Sequence, residues 1–342
     1  MDTLSLYLLC GVLSCAVTAG AVPLLRRTLG RFLLDRPGGL KRHAHAVPCV
    51  GGCAVLLGLA MGLIFIRLTT DFPTGTLHSL RGILLGAGLI FILGLADDLH
   101  KPQGINVPVK LAVQAAAAGL LLCYGVRINL FDCAYLSYPL TFLWVTGITN
   151  AFNLLDISDG LCVSQAAVCA LGLGLIALPS EFIYVNFCAC ALLGACLGFW
   201  PYNHRLRGKV FLGDSGSTLL GFVLAALAMG TGYSEHSNLG FLAPLLILAV
   251  PLFDTGFVAL VRLAQGKNPL RGSNDHAALR LRKIGGDKRQ ILWLFIGAGL
   301  FFNLLAFALT QVQICVAAAV LLLAAALLLA AGIFLSRIRM KP

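Results

Sequence analysis

Apolar runs of 17 or more residues recur along almost the whole chain, from Thr3 to Leu335. A run of that length crosses the roughly 30 Å hydrocarbon core of a bilayer as an α-helix, in which every backbone polar group is satisfied internally. Composition agrees, because 59% of the 342 residues are hydrophobic and only 11% are charged, whereas charged residues make up about a quarter of an average soluble domain. The pattern predicts an all-α, polytopic integral membrane protein.

The apolar runs and the breakers between them predict eleven transmembrane helices in one domain, 1–342. With a periplasmic N-terminus, 22 of the 25 Lys and Arg residues lie in or beside cytoplasmic segments, as the positive-inside rule requires. An odd number of spans also puts the basic tail and the C-terminus in the cytoplasm. The expected spans are 3–25, 51–68, 80–96, 109–125, 135–150, 161–178, 182–199, 217–233, 240–263, 290–310 and 313–335.

The net charge of +11 has two explanations, a preference for anionic substrates or topology signals combined with affinity for anionic lipids. Topology explains most of it. The acidic residues are more informative, because ionisable groups at membrane depth are costly unless they are paired or functional. Seven of the 14 fall near predicted cytoplasmic helix ends: Asp97, Asp98, Asp156, Asp159, Asp214, Asp254 and Asp275. Oxygen ligands of this kind indicate Mg²⁺, with Mn²⁺ as the alternative, rather than zinc.

The first two acidic regions follow predicted spans three and five. Asp97 and Asp98 are adjacent, so they repel one another unless a cation or a proton intervenes; an ion pair with Lys101 is the structural alternative. In the second region, spacings of three place two Asn and one Asp on one helix face, and the glycine after Asp159 permits the turn into the next helix. That face carries Asn150, Asn153 and Asp156.

The third and fourth regions surround predicted spans eight and nine. Glycines around Asp214, at the start of span eight, are expected to leave the backbone open to phosphate or metal, although such a turn is also an ordinary helix N-cap. Asp254 lies inside span nine, and Arg262 two helical turns later could balance it. The basic loop 266–283 that follows has enough positive charge to hold a pyrophosphate, and solvated topology charge explains part of it equally well.

In this order, the acid pair, the Asn/Asp segment and the turn Gly213-Asp-Ser-Gly-Ser217 resemble the polyprenyl-phosphate N-acetylhexosamine-1-phosphate transferase family, over about residues 35–290. The first cytoplasmic loop, 35–52, looks more like the bacterial undecaprenyl-phosphate GlcNAc-1-phosphate transferases than the muramoyl-pentapeptide branch. The resemblance implies that a polyprenyl phosphate attacks the β-phosphorus of a UDP-sugar, with Mg²⁺, and releases UMP. It also implies one catalytic domain with its active site on cytoplasmic loops.

The resemblance further implies a role for each matching residue. Catalytic roles fall to Asp97, Asp98, Asp156 and Asp159, and metal binding falls to Asp214, Asp98 and Asp156. Substrate contacts are expected from Lys41, His43, Lys101, Asn150, Asn153, Arg271 and His276. Two departures stand out: the family's Asp-Gly-x-Asp-Gly has Ile157 in place of its first glycine, and its His-x-His-His loop keeps only the first histidine, which leaves the donor sugar open.

The expected reaction is transfer of N-acetylglucosamine 1-phosphate from UDP-GlcNAc, which begins a cell-surface polysaccharide at the inner (plasma) membrane. Alternatives are another UDP-sugar or UDP-MurNAc-pentapeptide. A transporter or lipid-binding protein is a different class, but transporters usually place ionisable residues near the midplane of repeated halves, and no such repeat is visible. Expected partners are polyprenyl phosphate, the UDP-sugar and membrane lipids; a homodimer is compatible with the sequence, and no nucleic acid is expected.

Overall fold

The computed structural model describes residues 3–36, 45–70, 76–101, 103–129, 133–178, 183–204, 208–230, 239–269, 273–338 and 340. Within these residues the chain forms thirteen α-helices, one 3-10 turn and one two-stranded antiparallel ladder. They are divided between two compact units, Met1–Thr231 and Gly232–Pro342. The expectation of an all-α protein is confirmed.

The first unit contains eight helices and the ladder. Strand β1 (Leu34–Asp35) pairs antiparallel with β2 (Val47–Pro48), with Leu34 opposite Pro48. The helices are α1 (Thr3–Thr28), α2 (Gly51–Thr69), α3 (Thr76–Leu99), α4 (Val107–Cys123), α5 (Ala134–Leu155), α6 (Leu161–Ala177), α7 (Ile183–His204) and α8 (Gly213–Met229).

The second unit begins with a 3-10 turn (Gly240–Leu242) and α9 (Ala243–Ile247), followed by α10 (Ala249–Ala264), α11 (Ala277–Lys283), α12 (Lys288–Gln311) and α13 (Ile314–Ser336). The segment expected as span nine is broken, because 240–247 and 249–264 are bent by 68° relative to each other. Pro251 has no N–H to donate to the carbonyl of Ile247, so one helical hydrogen bond is absent at this point, which favours a bend.

Six helices in the described part are long and apolar enough to cross a membrane, or seven if the bent pair counts as one span. Three further apolar helices, α4, α6 and α8, have 17 residues each, which corresponds to about 26 Å at 1.5 Å per residue. A multi-pass membrane protein is therefore confirmed. The count of eleven spans and the orientation of the termini stay predictions.

Helix α8 lies at the centre of the first unit, buried along nearly its whole length and packed against α2, α3 and α5. Glycines allow the closest of these contacts. A Cβ on Gly94 of α3 would lie 2.5 Å from the Cα of Ser215, and a Cβ on Gly52 of α2 would lie 2.4 Å from the backbone nitrogen of Gly216. Such small residues let helix backbones approach closely in membranes, and here they bring the end of α3 against the start of α8.

Candidate active site

The last turn of α3 carries Asp97 and Asp98, and both are buried. Successive residues of an α-helix are rotated by about 100°, so the two carboxylates leave α3 in different directions. Asp98 points at the start of α8. It accepts backbone N–H groups from Asp214 and Ser215, each at 2.9 Å, the Ser215 hydroxyl at 2.7 Å and the Lys101 ammonium at 2.6 Å.

These four bonds fill the acceptor positions of the Asp98 carboxylate, which number about four. Asp98 therefore acts as the N-terminal cap of α8, supplied by another helix. The backbone around Asp214, expected from the sequence to be open to phosphate or metal, is instead occupied by this carboxylate. The positive φ of Gly213, 78°, belongs to the same contact, because a Cβ there would lie 2.6 Å from Asp98 Oδ2.

Lys101 lies between two of the acids. Its ammonium nitrogen is 2.6 Å from Asp98 Oδ1 and 3.7 Å from Asp214 Oδ2. Burial works against the charged form of Lys101, but the negative charges of Asp214 and Asp98 outweigh it and hold the pKa above its ordinary value. Lys101 is therefore a permanent cation with N–H groups that Asp98 does not use. Its longer contact, to Asp214, is weaker than its contact to Asp98.

Asp97 turns toward the loop before α4. Its Oδ1 accepts the backbone N–H of Ile105 at 2.5 Å, and its Oδ2 lies 2.5 Å from the ammonium of Lys110. The carboxyl group of Asp214 is also close enough to that of Asp97 for the two to interact. Two carboxyl groups this close need a proton or a cation between them. The structure thus brings together the two acids that the sequence places 117 residues apart.

If a magnesium ion binds here, these two carboxylates suit a site that is completed by water and substrate better than a site made entirely of protein ligands. Within the described residues, no three His, Cys, Asp or Glu side chains are arranged so that they could hold one metal ion. Mg²⁺ usually binds one or two carboxylates and takes its other ligands from water and substrate phosphates. Asp97 and Asp214 provide two such carboxylates, and the Asp214 side chain is 25% exposed. The metal role expected of Asp98 stays a prediction. The four hydrogen bonds that its carboxylate already accepts do not favour that role.

The turn between α5 and α6 carries Asp156 and Asp159. Burial raises the pKa of Asp156 well above its ordinary value, and the nearby charge of Asp214 raises it further, while Lys101 opposes the shift. Asp156 therefore belongs to the same electrostatic cluster. Asp159 forms an ion pair with Lys209 at 2.5 Å, and both side chains are partly exposed.

A residue absent from the sequence-based assignment holds this turn in place. Asn203, buried in the last turn of α7, accepts the N–H of Gly160 at 2.7 Å and donates to the carbonyl of Val210 at 3.0 Å. Gly160 and Val210 each directly follow a member of the Asp159–Lys209 ion pair. One amide thus connects the two segments that carry this pair.

Asn150 and Asn153 lie one turn apart on α5, as expected. The Asn150 amide is engaged with protein groups: it exchanges hydrogen bonds with Gln114 of α4 at 2.8 and 3.2 Å and donates to the carbonyl of Thr146 at 2.8 Å. Asn153 is partly buried, and its backbone carbonyl accepts the N–H of Asp156 at 3.3 Å. Substrate contact by either asparagine stays a prediction.

In the second unit, Asp254 contacts the start of α11. One of its oxygens lies 2.7 Å from His276 Nδ1, and the other accepts the backbone N–H of Ala277 at 2.8 Å. The partner considered from the sequence, Arg262, instead donates to the carbonyl of Asn268. His276 is 1% exposed, so its observed role is structural, and substrate contact stays a prediction.

The buried guanidinium of Arg280 joins two parts of the second unit. It lies 2.8 Å from the Asp275 carboxylate and donates to the carbonyls of Leu335 and Ile338, at the end of α13. Asp275 is also held by Ser273, whose hydroxyl donates to it at 2.7 Å. The acid that the sequence placed in a substrate loop thus serves an internal ion pair.

Three expected substrate-binding residues, Lys41, His43 and Arg271, lie outside the described residues. Conversely, several residues that contact the site received no role from the sequence. The sequence offers little to identify them. Lys110 could have been noticed as a charged residue in the first turn of an apolar helix, but a single amide or hydroxyl in an apolar run does not change the hydrophobic pattern. The residues concerned are Lys110, Gln114, Asn203, Lys209 and Ser215.

Comparison with known proteins agrees with the geometry. Residues 80–232 match the family model described as glycosyl transferase family 4, and this stretch includes the end of α3, the Asn/Asp turn and the start of α8. The chain is 28% identical over 291 residues to the probable undecaprenyl-phosphate N-acetylglucosaminyl 1-phosphate transferase of Bacillus subtilis, which covers 82% of this chain and 78% of that protein.

Two further relatives have similar coverage. The decaprenyl-phosphate N-acetylglucosaminephosphotransferase of Mycobacterium tuberculosis is 29% identical over 330 residues, covering 83% of this chain and 79% of that protein. The undecaprenyl-phosphate alpha-N-acetylglucosaminyl 1-phosphate transferase of Escherichia coli is 28% identical over 272 residues, covering 75% of this chain and 71% of that protein. Over residues 80–232 the chain is therefore similar to glycosyl transferase family 4.

Proposed function

We propose that this protein transfers N-acetylglucosamine 1-phosphate from UDP-GlcNAc to a polyprenyl phosphate and releases UMP. The observation that carries the proposal is the meeting of Asp97 and Asp214 beside Lys101 and Lys110, at the ends of membrane helices. Paired acids and fixed cations at a membrane surface suit a reaction between a phosphorylated lipid and a charged nucleotide. The relatives named above carry this activity in their names.

The reaction joins two anions, so the site must first reduce their repulsion. Lys101 has three N–H groups and uses one on Asp98, which leaves donors for phosphate oxygens. A phosphate that approaches would compete with the weaker contact of Lys101 to Asp214. An oxygen of the lipid phosphate then attacks the β-phosphorus, and the bond from that phosphorus to the oxygen bridging it to UMP breaks.

Asp97 is positioned to orient the acceptor. It is buried and anchored by Ile105 and Lys110, so its carboxylate cannot swing away. In that position it accepts or steers a proton of the lipid phosphate. When Mg²⁺ is bound, with Mn²⁺ as the alternative, it neutralises the diphosphate and stabilises the departing UMP. Asp97 and Asp214 are the side chains that would hold it.

The test is turnover by purified protein in lipid nanodiscs. The protein is incubated with undecaprenyl phosphate, Mg²⁺ and one of three donors: UDP-GlcNAc, UDP-GalNAc or UDP-MurNAc-pentapeptide, and released UMP is measured. We expect UMP with UDP-GlcNAc and a lipid product that carries one sugar. UMP only with another donor would replace the proposed sugar, and no UMP with any donor would overturn the reaction.

The matched control is Asp214→Asn, which removes one charge and hardly changes side-chain volume. UMP release should fall at least about 100-fold in this variant. The proposal also includes a location in the inner membrane and a role at the start of surface-polysaccharide synthesis, which cell fractionation and the loss of the polymer in a deletion strain would test. The mass of the nanodisc complex would show whether the protein is a homodimer.

A further inference from the structure

Two amide side chains form a reciprocal pair between α4 and α5. Asn150 Nδ2 donates to Gln114 Oε1 at 2.8 Å, and Gln114 Nε2 donates back to Asn150 Oδ1 at 3.2 Å. Gln114 is 1% exposed. The second N–H of Asn150 bonds to the carbonyl of Thr146 on its own helix. The pair is therefore closed on itself, with both N–H donors of Asn150 in use.

The pair lies close in sequence to site residues on both helices. Gln114 lies four residues after Lys110 on α4, and residues with this spacing share one helix face. Asn150 lies three residues before Asn153, whose carbonyl accepts the backbone N–H of Asp156. The pair thus joins the helix whose lysine anchors Asp97 to the helix that ends at Asp156.

Apolar contact alone does not set the register of two such helices. Around the pair, α4 presents a run of small and apolar residues, 115–122, and dispersion between apolar surfaces has little directionality. A reciprocal amide pair has two directed bonds, and a slide of one residue, about 1.5 Å, would break both. Displacement of that order between catalytic groups lowers rates by about 100-fold.

We propose that Gln114 and Asn150 are positioning residues, which fix α4 against α5 and thereby hold Lys110 and Asp97 in register with Asp156. The inference rests on the proposed function, because its main readout is turnover of the nucleotide-sugar. It gives Asn150 a role through neighbouring residues, in place of the direct substrate contact expected from the sequence.

The test exchanges the two amides. Gln114→Asn shortens the pair by one methylene and Asn150→Gln lengthens it, so each single variant spoils the geometry, whereas the double exchange restores the combined length. We expect each single variant to lower kcat at least about tenfold, with KM for donor and lipid within about threefold of wild type. The double variant should recover at least a third of the wild-type kcat.

A matched control is Thr149→Val, which removes a buried hydroxyl of α5 that donates to the carbonyl of Val145 on the same helix; it should keep wild-type kcat. A higher donor KM in Asn150→Gln, with no effect of Gln114→Asn, would overturn the proposal in favour of substrate contact by Asn150. Recovery of thermal stability without recovery of kcat in the double variant would also overturn it. A wild-type protein with no turnover would instead refute the proposed function.

Discussion

The substitution Asp98→Asn separates a positioning role of this residue from a role as metal ligand. The side chain keeps nearly the same volume but has one acceptor oxygen in place of two. Its new NH2 group would face N–H groups that already donate. Because the four observed bonds come from Asp214, Ser215 and Lys101, at least two of them are lost.

The energetic cost follows from these contacts. A hydrogen bond to a charged group contributes about 1.5–3 kcal/mol, so the loss of two such bonds costs about 3–6 kcal/mol. For a chain of this size, each kcal/mol lowers the midpoint of thermal unfolding by about 2 °C, and a fall of about 6–12 °C is expected. Turnover should fall too, because the start of α8 carries Asp214 and would no longer be fixed.

The assay is thermal unfolding of the detergent-solubilised protein, measured beside the Mg²⁺ dependence of UMP release. Asp214→Asn is the control, because the Asp214 carboxylate does not cap α8, and its midpoint should stay within about 2 °C of wild type. The reasoning fails if Asp98→Asn keeps the wild-type midpoint and only raises the Mg²⁺ concentration needed for half-maximal turnover. That result would make Asp98 a metal ligand.

Three further predictions concern the same site. Asp97→Asn and Asp214→Asn should each lower turnover at least about 100-fold while the protein remains inserted in the membrane, as checked by carbonate extraction and UMP release; near-normal activity of either would remove its role. Chelation by EDTA should stop UMP release, and Mg²⁺ or Mn²⁺ should restore it; activity in EDTA would exclude the metal. Gly94→Ala should cost about 1–3 kcal/mol, because its Cβ would meet the backbone of Ser215. Gly88→Ala, with open space around its Cβ, should leave the unfolding midpoint unchanged.

Much of the architecture follows from apolar run lengths, because a chain in lipid has few alternatives to the helix. The bend at Pro251 and the short helix α11 are harder to predict. A proline inside an apolar run is tolerated in many membrane helices, so whether the helix kinks or breaks depends on what packs around it. Helix α11 has seven residues and starts where Asp254 accepts the N–H of Ala277, a contact between segments distant in sequence.

The site was predictable as a set of acids and less so in its internal organisation. Adjacency identified Asp97 and Asp98 as a pair but could not distinguish them. Their separate surroundings, Lys110 and Ile105 for one and the start of α8 for the other, depend on which helices pack against α3. The Asn150–Gln114 bond likewise requires α4 and α5 to be neighbours, which periodicity within either helix does not reveal.

An aspartate in an apolar helix is commonly interpreted as a functional group, but among the described residues Asp98 and Asp254 each have a structural task. Asp98 accepts two N–H groups at the start of α8, and Asp254 accepts the first N–H of α11. Unpaired N–H groups at a helix start are costly away from water, so a carboxylate from a neighbouring helix is a sound solution. Acceptor capacity then distinguishes the roles: the Asp98 carboxylate is saturated, whereas the carboxyl groups of Asp97 and Asp214 lie close enough to interact, and a cation could bind between them. We therefore propose that Asp97 and Asp214 carry the chemistry and that Asp98 holds them in place.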